Sequence, residues 1–381
     1  MEYVEIDKII NVELGKTPSR NNSDYWNGKH TWIAISDMNK KYIVNSKEKI
    51  TNEAIENTKI KKVPKDTVIM SFKLSIGKRA ITKSEVYTNE AIAAFHIKDL
   101  KYLIPEYLYY ALESVDFLKY TDKAVKGKTL NKEKLKKIKI PIFPLTEQLK
   151  ISEILNKTQK IIEDKKKQIF LFDELIKSRF IEMFGDPIKN DKGWEVKKLG
   201  EITNKIGDGL HGTPKYDING SIPFINGNNL TEGKIVIQEN TKFVNKVEYK
   251  KYFKEISINT VFLSINGTLG RLAFYNNERI VLGKSVCFID LKKDINKIFI
   301  YYLLKNKKVI YELEQNSTKS TIKNISLKYV RNFNTILPPC SLQNIFAEFV
   351  TRIDKLKFEA EKSLKEMENL YDSLMQKFFK Q

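Results

Sequence analysis

Cysteine and histidine are scarce in this chain of 381 residues, which holds only Cys287, Cys340, His30, His96 and His211. So few soft ligands leave no zinc cluster and no disulfide framework, and sparse cysteine suits a reducing compartment. Long apolar runs are missing too. No uncharged stretch approaches the ~18 residues of a membrane span, and Met1-Glu-Tyr-Val-Glu5 opens neither a basic nor an apolar signal segment. The expectation is a soluble, cytoplasmic protein with no membrane partner.

What the chain does have is itself, twice. Val68-Ile-Met-Ser-Phe-Lys-Leu-Ser-Ile-Gly77 recurs as Val261-Phe-Leu-Ser-Ile-Asn-Gly-Thr-Leu-Gly270. Trp32-Ile33 returns as Phe224-Ile225 and Tyr109-Tyr110 as Tyr301-Tyr302, while Gln148, Ser178 and Phe184 return as Gln343, Ser373 and Phe379. All these pairs lie about 192 to 195 positions apart, against the ~20–50 of solenoid repeats. One globular module and the segment after it have been duplicated. Such a protein binds two copies of something, or one long thing at two places.

Charge follows the duplication. The chain carries 67 Lys+Arg against 47 Asp+Glu, a net of +20. Residues 1–143 hold 27 cations and 18 anions, and residues 185–340 hold 25 and 15. Residues 144–184 hold 8 and 7, so the segment between the modules is nearly neutral. A basic excess confined to the two modules reads as a polyanion footprint.

Each module alternates short β-type runs with Gly, Asn and Lys turns. In the first copy these are Thr31–Ile35, Val68–Phe72 and Ala91–Ile97, followed by a helix over Glu106–Glu113 with Pro105 at its first position. The second copy has strands near Ser221–Ile225, Thr260–Ile265 and Ser285–Ile289, then a helix near Phe299–Leu304. Connections too short for repeated crossover helices predict an α/β (α+β) module with a mixed, mainly antiparallel sheet. A proline-bearing stop ends each module, Ile140-Pro-Ile-Phe-Pro144 and Ile336-Leu-Pro-Pro339, and a helix of about 40 residues follows. Thr146, with Glu147 and Gln148 nearby, and Ser341 are the expected N-cap and first-turn residues.

Leu155, Ile162, Ile169, Ile176 and Met183 keep a strict heptad column in the first helix, joined by Ile151 and Phe172. Phe346, Ile353, Met367 and Leu374 keep one in the second helix, and Val350, Leu364, Tyr371 and Phe378 another. These seams predict an antiparallel coiled coil of helices roughly 60 Å long. The domains expected are 1–143 and 185–340, with spacer helices 144–184 and 341–381, related by a pseudo-two-fold axis. With the first module starting at the N-terminus, the return to it falls to the second helix. Phe170, Leu171, Leu175 and Phe180 add apolar area beyond the seam and are expected to meet a partner.

Catalytic motifs fail on context. Gly207-Asp-Gly-Leu-His-Gly212 fits a dinucleotide fingerprint but is followed by Thr213-Pro214, not a helix, and lacks a strong strand before it. Gly127-Lys128-Thr129 ends like a P-loop whose first glycine is Asp122. Pro338-Pro339 lacks the polar residue and aromatic of an amino-methyltransferase tetrapeptide. Asp191, Glu195 and Lys197 have the look of a metal-dependent nuclease set, yet the first copy has nothing equivalent to Asp191 or Lys197.

What recurs is loop chemistry suited to DNA. The first copy offers Lys16, Thr17, Ser19, Arg20, Ser71, Lys73, Lys78, Arg79, Lys126 and Lys128. The second offers Thr213, Lys215, Asn226, Asn228, Asn229, Ser264, Asn266, Thr268, Arg271, Lys284, Thr318 and Lys319. Arg and Asn read guanine and adenine edges bidentately, while Lys, Ser and Thr grip phosphates. The copies differ most in these loops, as two readers of two different half-sites would.

The chain resembles, over essentially its full length, the specificity subunit of type I restriction-modification systems. The resemblance is carried by Pro144-Leu-Thr-Glu-Gln148, Phe180-Ile-Glu-Met-Phe-Gly-Asp-Pro187 and Gly193-Trp-Glu-Val-Lys-Lys-Leu-Gly200. Leu14-Gly-Lys-Thr-Pro18, Ser71…Gly77-Lys78, Gly212-Thr-Pro214 and Ser264…Gly270-Arg271 add to it. It implies two target-recognition domains reading a bipartite site in double-stranded DNA, with the helices as a ruler for the gap. It also implies docking of two modification subunits and of restriction (translocase) subunits. S-adenosylmethionine, ATP and Mg then belong to those partners, and this chain is non-catalytic and binds no cofactor. Two other readings are a stand-alone nuclease using Asp191, Glu195 and Lys197, and a nucleic-acid clamp without sequence preference.

Overall fold

The computed structural model describes residues 2–120, 130–318 and 323–379. It divides into two compact units, one made of residues up to Lys165 and from Ser363 onward, the other of Lys166–Lys362.

In the first unit a five-stranded sheet has the order Ile10–Leu14, Ile92–Ile97, Val68–Ser71, Arg79–Thr82, Tyr42–Ile43. All its pairs are antiparallel except the last. Beside it Trp26–Ile33 pairs with Glu48–Ile50 and, in parallel, with Tyr87–Thr88. Glu2–Glu5 pairs with Lys139–Ile142, closing the ends of the module. Val68, Ile69, Met70, Ala93 and Phe95 are fully buried, so these central strands read as continuous apolar runs.

The second unit repeats this topology. Its main sheet runs Thr203–Asp208, Val286–Leu291, Thr260–Ser264, Leu272–Phe274. Ile222–Ile225 pairs in parallel with Val281–Leu282, as Trp26–Ile33 does with Tyr87–Thr88. Glu195–Lys198 pairs with Asn334–Leu337 where the first unit closes its ends. The mainly antiparallel mixed fold and the duplication are therefore both present. One difference is local: Lys234–Ile235 pairs with Leu230–Thr231, whereas Tyr42–Ile43 joins the main sheet.

Helices Pro105–Glu113 and Lys297–Lys305 occupy the expected places, the first with its proline at the start. The long helices are Leu145–Phe184 and Cys340–Phe379, 40 residues each. Each begins one residue after a proline whose carbonyl accepts the first helical bonds: Gln148 N–H to Pro144 at 3.0 Å and Gln343 N–H to Pro339 at 3.1 Å. Thr146 and Ser341 therefore sit in the first turn, as expected, while the prolines before the helices take the cap positions. The heptad seam is real within each unit. Ile151 and Leu155 join the first core with Met375 and Phe379, and Ile176 and Phe184 join the second with Phe346, Val350 and Ile353. In the second unit Phe184 lies 5.4 Å from Phe346 and Asp173 binds Lys357 at 2.7 Å, so the segments run antiparallel there.

Phe180 requires a correction. It is 2% exposed and stacks on Phe299 at 5.9 Å. The cause is that it shares a helical face with Ile176 and Phe184. It belongs to the core of the second unit and offers no surface to a partner. Phe170, Leu171 and Leu175 are 61%, 51% and 46% exposed, as expected of an uncovered stripe.

The repeated glutamines latch each long helix to its module. Gln148 is fully buried; its amide donates to the carbonyls of Tyr102 and Phe143 and accepts from Ile104 N–H. Gln343 donates to Pro338 and accepts from Asn296 N–H. The second helix does come back to the first module. Tyr371 donates to Glu113 at 2.8 Å, and Glu113 binds Arg79 at 3.1 Å.

Candidate nucleic-acid interface

The two copies build one loop frame at the end of the main sheet. Ser71 ends its strand and is fully buried. Its hydroxyl donates to the carbonyl of Ser75 and accepts Lys78 N–H at 3.2 Å. Ser264 repeats the pair, donating to Thr268 at 2.6 Å and accepting Arg271 N–H at 2.8 Å. Gly77 and Gly270 close the loops at φ 87 and φ 78 degrees, a conformation that favours glycine. The cation after each glycine then grips the carbonyl of a neighbouring 3-10 turn. Lys78 Nζ bonds Ile35 O at 2.9 Å, and the Arg271 guanidinium bonds Asn228 O at 3.1 Å. Ile35 and Asn228 lie one position apart in equivalent turns, Ile35–Asp37 and Gly227–Asn229. The turns are closed alike, by Asp37 accepting from Ala34 N–H and Asn229 accepting from Asn226 N–H, each at 2.9 Å.

A second loop lies beside the first in each unit. In the first unit Trp32 and Trp26 pin it through the carbonyls of Lys16 at 3.0 Å and Ser19 at 3.1 Å. Thr17 bonds Glu90, next to Ala91, whose carbonyl takes Phe72 N–H at 2.9 Å. Arg20 lies 3.8 Å over the Trp26 ring and chelates Glu48, whose carboxyl is held below its usual range by that bond. In the second unit Leu210 O takes Lys284 N–H at 3.0 Å, and Ser285 O takes Ile265 N–H at 3.0 Å. Thr213 and Lys215 are exposed there, and Glu248 accepts Lys215 N–H at 2.9 Å.

Sequence-predicted residues thus divide into frame and surface. Ser71, Ser264 and Asn229 are buried, and their polar atoms are spent on neighbouring backbone and, for Asn229, also on the Thr241 hydroxyl. Arg79 is turned inward onto Glu113 and Gly77 O, so it anchors a helix and does not face outward. These four shape the loops and are corrected to that role. Asn226 is tied to Ser285 at 3.1 Å. Exposed or half-exposed on the frame are Lys16, Thr17, Ser19, Arg20, Lys73, Lys78, Thr213, Lys215, Asn228, Asn266, Thr268, Arg271, Lys284 and Thr318. Lys126, Lys128 and Lys319 lie outside the described residues. Asn39, which holds Lys78 Nζ at 2.9 Å, and Asn324, which accepts from Asn266 at 3.3 Å, were not anticipated. Their only signal is asparagine in turn-rich stretches.

Of the rejected catalytic motifs, Gly127-Lys128-Thr129 lies outside the described residues. Asp191 accepts Asp186 N–H at 2.8 Å in the turn that ends the first long helix. Glu195 and Lys197 pair with each other at 3.2 Å on the strand beyond that turn. Among the described residues no His/Cys/Asp/Glu group has metal-binding geometry, and no helix is long and apolar enough to cross a membrane. One correction applies: a strand, Thr203–Asp208, does lead into Gly207–Gly212, although no helix follows.

Residues 1–170 and 191–369 match the model of the type I restriction modification DNA specificity domain. The MjaIX specificity subunit of a type I restriction enzyme from Methanocaldococcus jannaschii is 28% identical over 98% of this chain and 91% of its own length. The MjaVIII specificity subunit of the same organism is 23% identical over 97% and 91%. In fold, the chain resembles the type I restriction-modification S subunit of M. genitalium with a TM-score of 0.59 at 17% identity, covering 99% of this chain and 96% of that one. A chain from a structure of complex assembly and conformational transition in the type I system gives 0.62, also at 17% identity and with the same coverage. Two repeats of one loop frame, each inside a matched segment, place this chain in the family of type I restriction-modification specificity subunits.

Proposed function

We propose that each module reads one half of a bipartite DNA site and that the two long helices set the gap between the halves. The reading domains are 1–143 and 185–340, and the spacers are 144–184 and 341–381. One observation carries this reading. An identical serine-anchored frame presents different exposed residues in the two copies, Lys73 and Ser75 in one, Asn266 and Thr268 in the other. One scaffold with two sets of side chains is what two unlike half-sites require.

Lys16, Lys73, Lys215 and Lys284 serve phosphates, while Asn228, Asn266 and Arg271 are placed for base edges. The exposed stripe of Phe170, Leu171 and Leu175 docks modification subunits, which supply S-adenosylmethionine-dependent adenine methylation. Restriction subunits, where they assemble, supply ATP- and Mg-dependent translocation and cleavage. This chain recognises; its partners react.

The test is to co-express the chain with its modification subunits and map methylated adenines in host DNA. The expected outcome is one bipartite motif, bound ~10³-fold or more above unrelated duplexes. Equal affinity for every duplex would support the clamp instead. Mg-dependent cleavage by the chain alone, lost in Glu195→Ala, would support the nuclease.

A further inference from the structure

Leu74 stands at the tip of the first frame, between Lys73 and Ser75, with φ at 60° and 91% of its surface exposed. Both facts run against its own interest. A branched apolar side chain is strained in the left-handed region, and it belongs to none of the buried apolar clusters. The second copy shows the unstrained solution. The equivalent position there is Gly267, at φ 77°, where an added Cβ would meet nothing within 4 Å. The frame therefore holds this position left-handed in both copies, and a side chain here projects into open space. Glycine satisfies the backbone at no cost. Leucine is the costlier residue, and among the described residues no buried apolar cluster compensates for it.

We infer that Leu74 is a specificity-determining residue of the first module, whose side chain contacts the C5-methyl group of a thymine in the DNA major groove. This deepens the proposed function and rests on it. Leucine carries no donor or acceptor, so it reads only apolar features, and the thymine methyl is the apolar feature of a base edge in that groove. The flanking Lys73, half-exposed on the same loop, draws the tip to the phosphate backbone. Gly267 has no side chain to make such a contact, so the second module lacks it at the equivalent position.

The test uses the full chain assembled with its modification subunits on duplexes carrying the mapped site. Each thymine of the half-site assigned to residues 1–143 is replaced in turn by deoxyuridine, which removes the methyl group alone. At one position wild-type affinity should fall ~3- to 10-fold. Leu74→Gly should lose the same factor on the natural site and show no further loss on the deoxyuridine site. Affinity changes at the second half-site should be absent. Because glycine suits the left-handed backbone, Leu74→Gly should fold at least as well as the wild type. A half-site without thymine, or deoxyuridine losses that persist unchanged in Leu74→Gly, would overturn the inference. So would a Leu74→Gly loss with no deoxyuridine effect, which marks a wedge between bases. Failure to find any bipartite preference in the wild type would instead overturn the proposed function.

Discussion

Ser264 and Arg271 are joined by a 2.8 Å hydrogen bond from the backbone N–H of Arg271 to the Ser264 hydroxyl, at a site closed to solvent. The same hydroxyl donates to Thr268 O, so a single oxygen holds both limbs of the loop. Ser71 does the same for Ser75 and Lys78. Alanine at either serine takes this partner from one amide and one carbonyl, at ~1–3 kcal/mol. Ser264→Ala should therefore weaken reading of the second half-site while leaving the first unchanged, and Ser71→Ala the reverse. Binding to duplexes with one scrambled half-site measures this; a uniform loss in both variants would contradict it.

The Arg79–Glu113–Tyr371 chain ties the C-terminal helix to the first module. Arg79 is 13% exposed on its side chain, and its Nε has no hydrogen-bond partner, so the Glu113 carboxylate is its principal compensation. Glu113→Ala removes two charge-assisted bonds and should destabilise the first unit by ~2–3 kcal/mol. Urea unfolding should show a lower midpoint, and limited proteolysis should release peptides from Ser363 onward before the rest. Unchanged protease resistance there would mean that apolar packing of Met375 and Phe379 suffices.

Lys41 gives the first unit a pH signature. Its Nζ lies 3.1 Å from the Tyr110 hydroxyl and against Asn156, and burial lowers its pKa from the usual 10.5 to about 8. Because the folded pKa is below the unfolded one, the unfolded chain binds the extra proton between these values, and stability rises with pH there. The cost of burying the charge is complete below about pH 8 and gone above about pH 10.5. Relative to Lys41→Met, the wild type should gain ~1–2 kcal/mol across that window, with Lys41 discounted for partial solvent contact. A difference that stays constant from pH 7 to 10.5 would show that Lys41 keeps an ordinary pKa.

Much of this architecture was readable because duplication writes each element twice. Gln148 and Gln343 stood out as a matched pair, and both proved to be buried latches. Their job was not readable, since it depends on carbonyls at Tyr102, Phe143 and Pro338 that only the fold brings near. The sequence puts Phe180 on the partner face for a related reason. Heptad counting follows one seam, whereas the last turns of that helix also pack on Lys297–Lys305, which widens the buried face. Ser71, Ser264 and Asn229 looked like ligand donors because small polar residues in loops serve phosphates and backbone equally well. Leu74 shows in the sequence only as the counterpart of Gly267 in loops that differ between the copies, because a left-handed leucine cannot be told from an ordinary one by type.

The stripe of Phe170, Leu171 and Leu175 should separate assembly from recognition. All three are about half exposed or more, so triple replacement by serine should leave the fold intact. The wild-type chain alone should be poorly soluble and should co-purify with modification subunits. The triple variant should be more soluble and should lose co-purification by roughly tenfold or more, as removal of an apolar anchor does. Retained co-purification would place the docking surface elsewhere.

The last expectation concerns helix length. Leu145–Phe184 and Cys340–Phe379 are each unbroken over 40 residues, and each contributes residues to both units. Adding one heptad to each keeps the apolar seams in register and lengthens each helix by about 10 Å, at ~1.5 Å per residue. At ~3.4 Å per base pair that is roughly three base pairs of additional gap. It also turns one approach to the duplex by about 100°, at ~10.5 base pairs per turn, so part of the affinity should be lost. The bases read in each half should not change, because no frame residue is altered. Exchanging residues 1–143 for those of another specificity subunit should do the opposite, changing one half-site and keeping the gap. Methylation mapping of both variants decides the matter: a heptad insertion that changed the bases read while the gap stayed fixed would remove the helices from any measuring role.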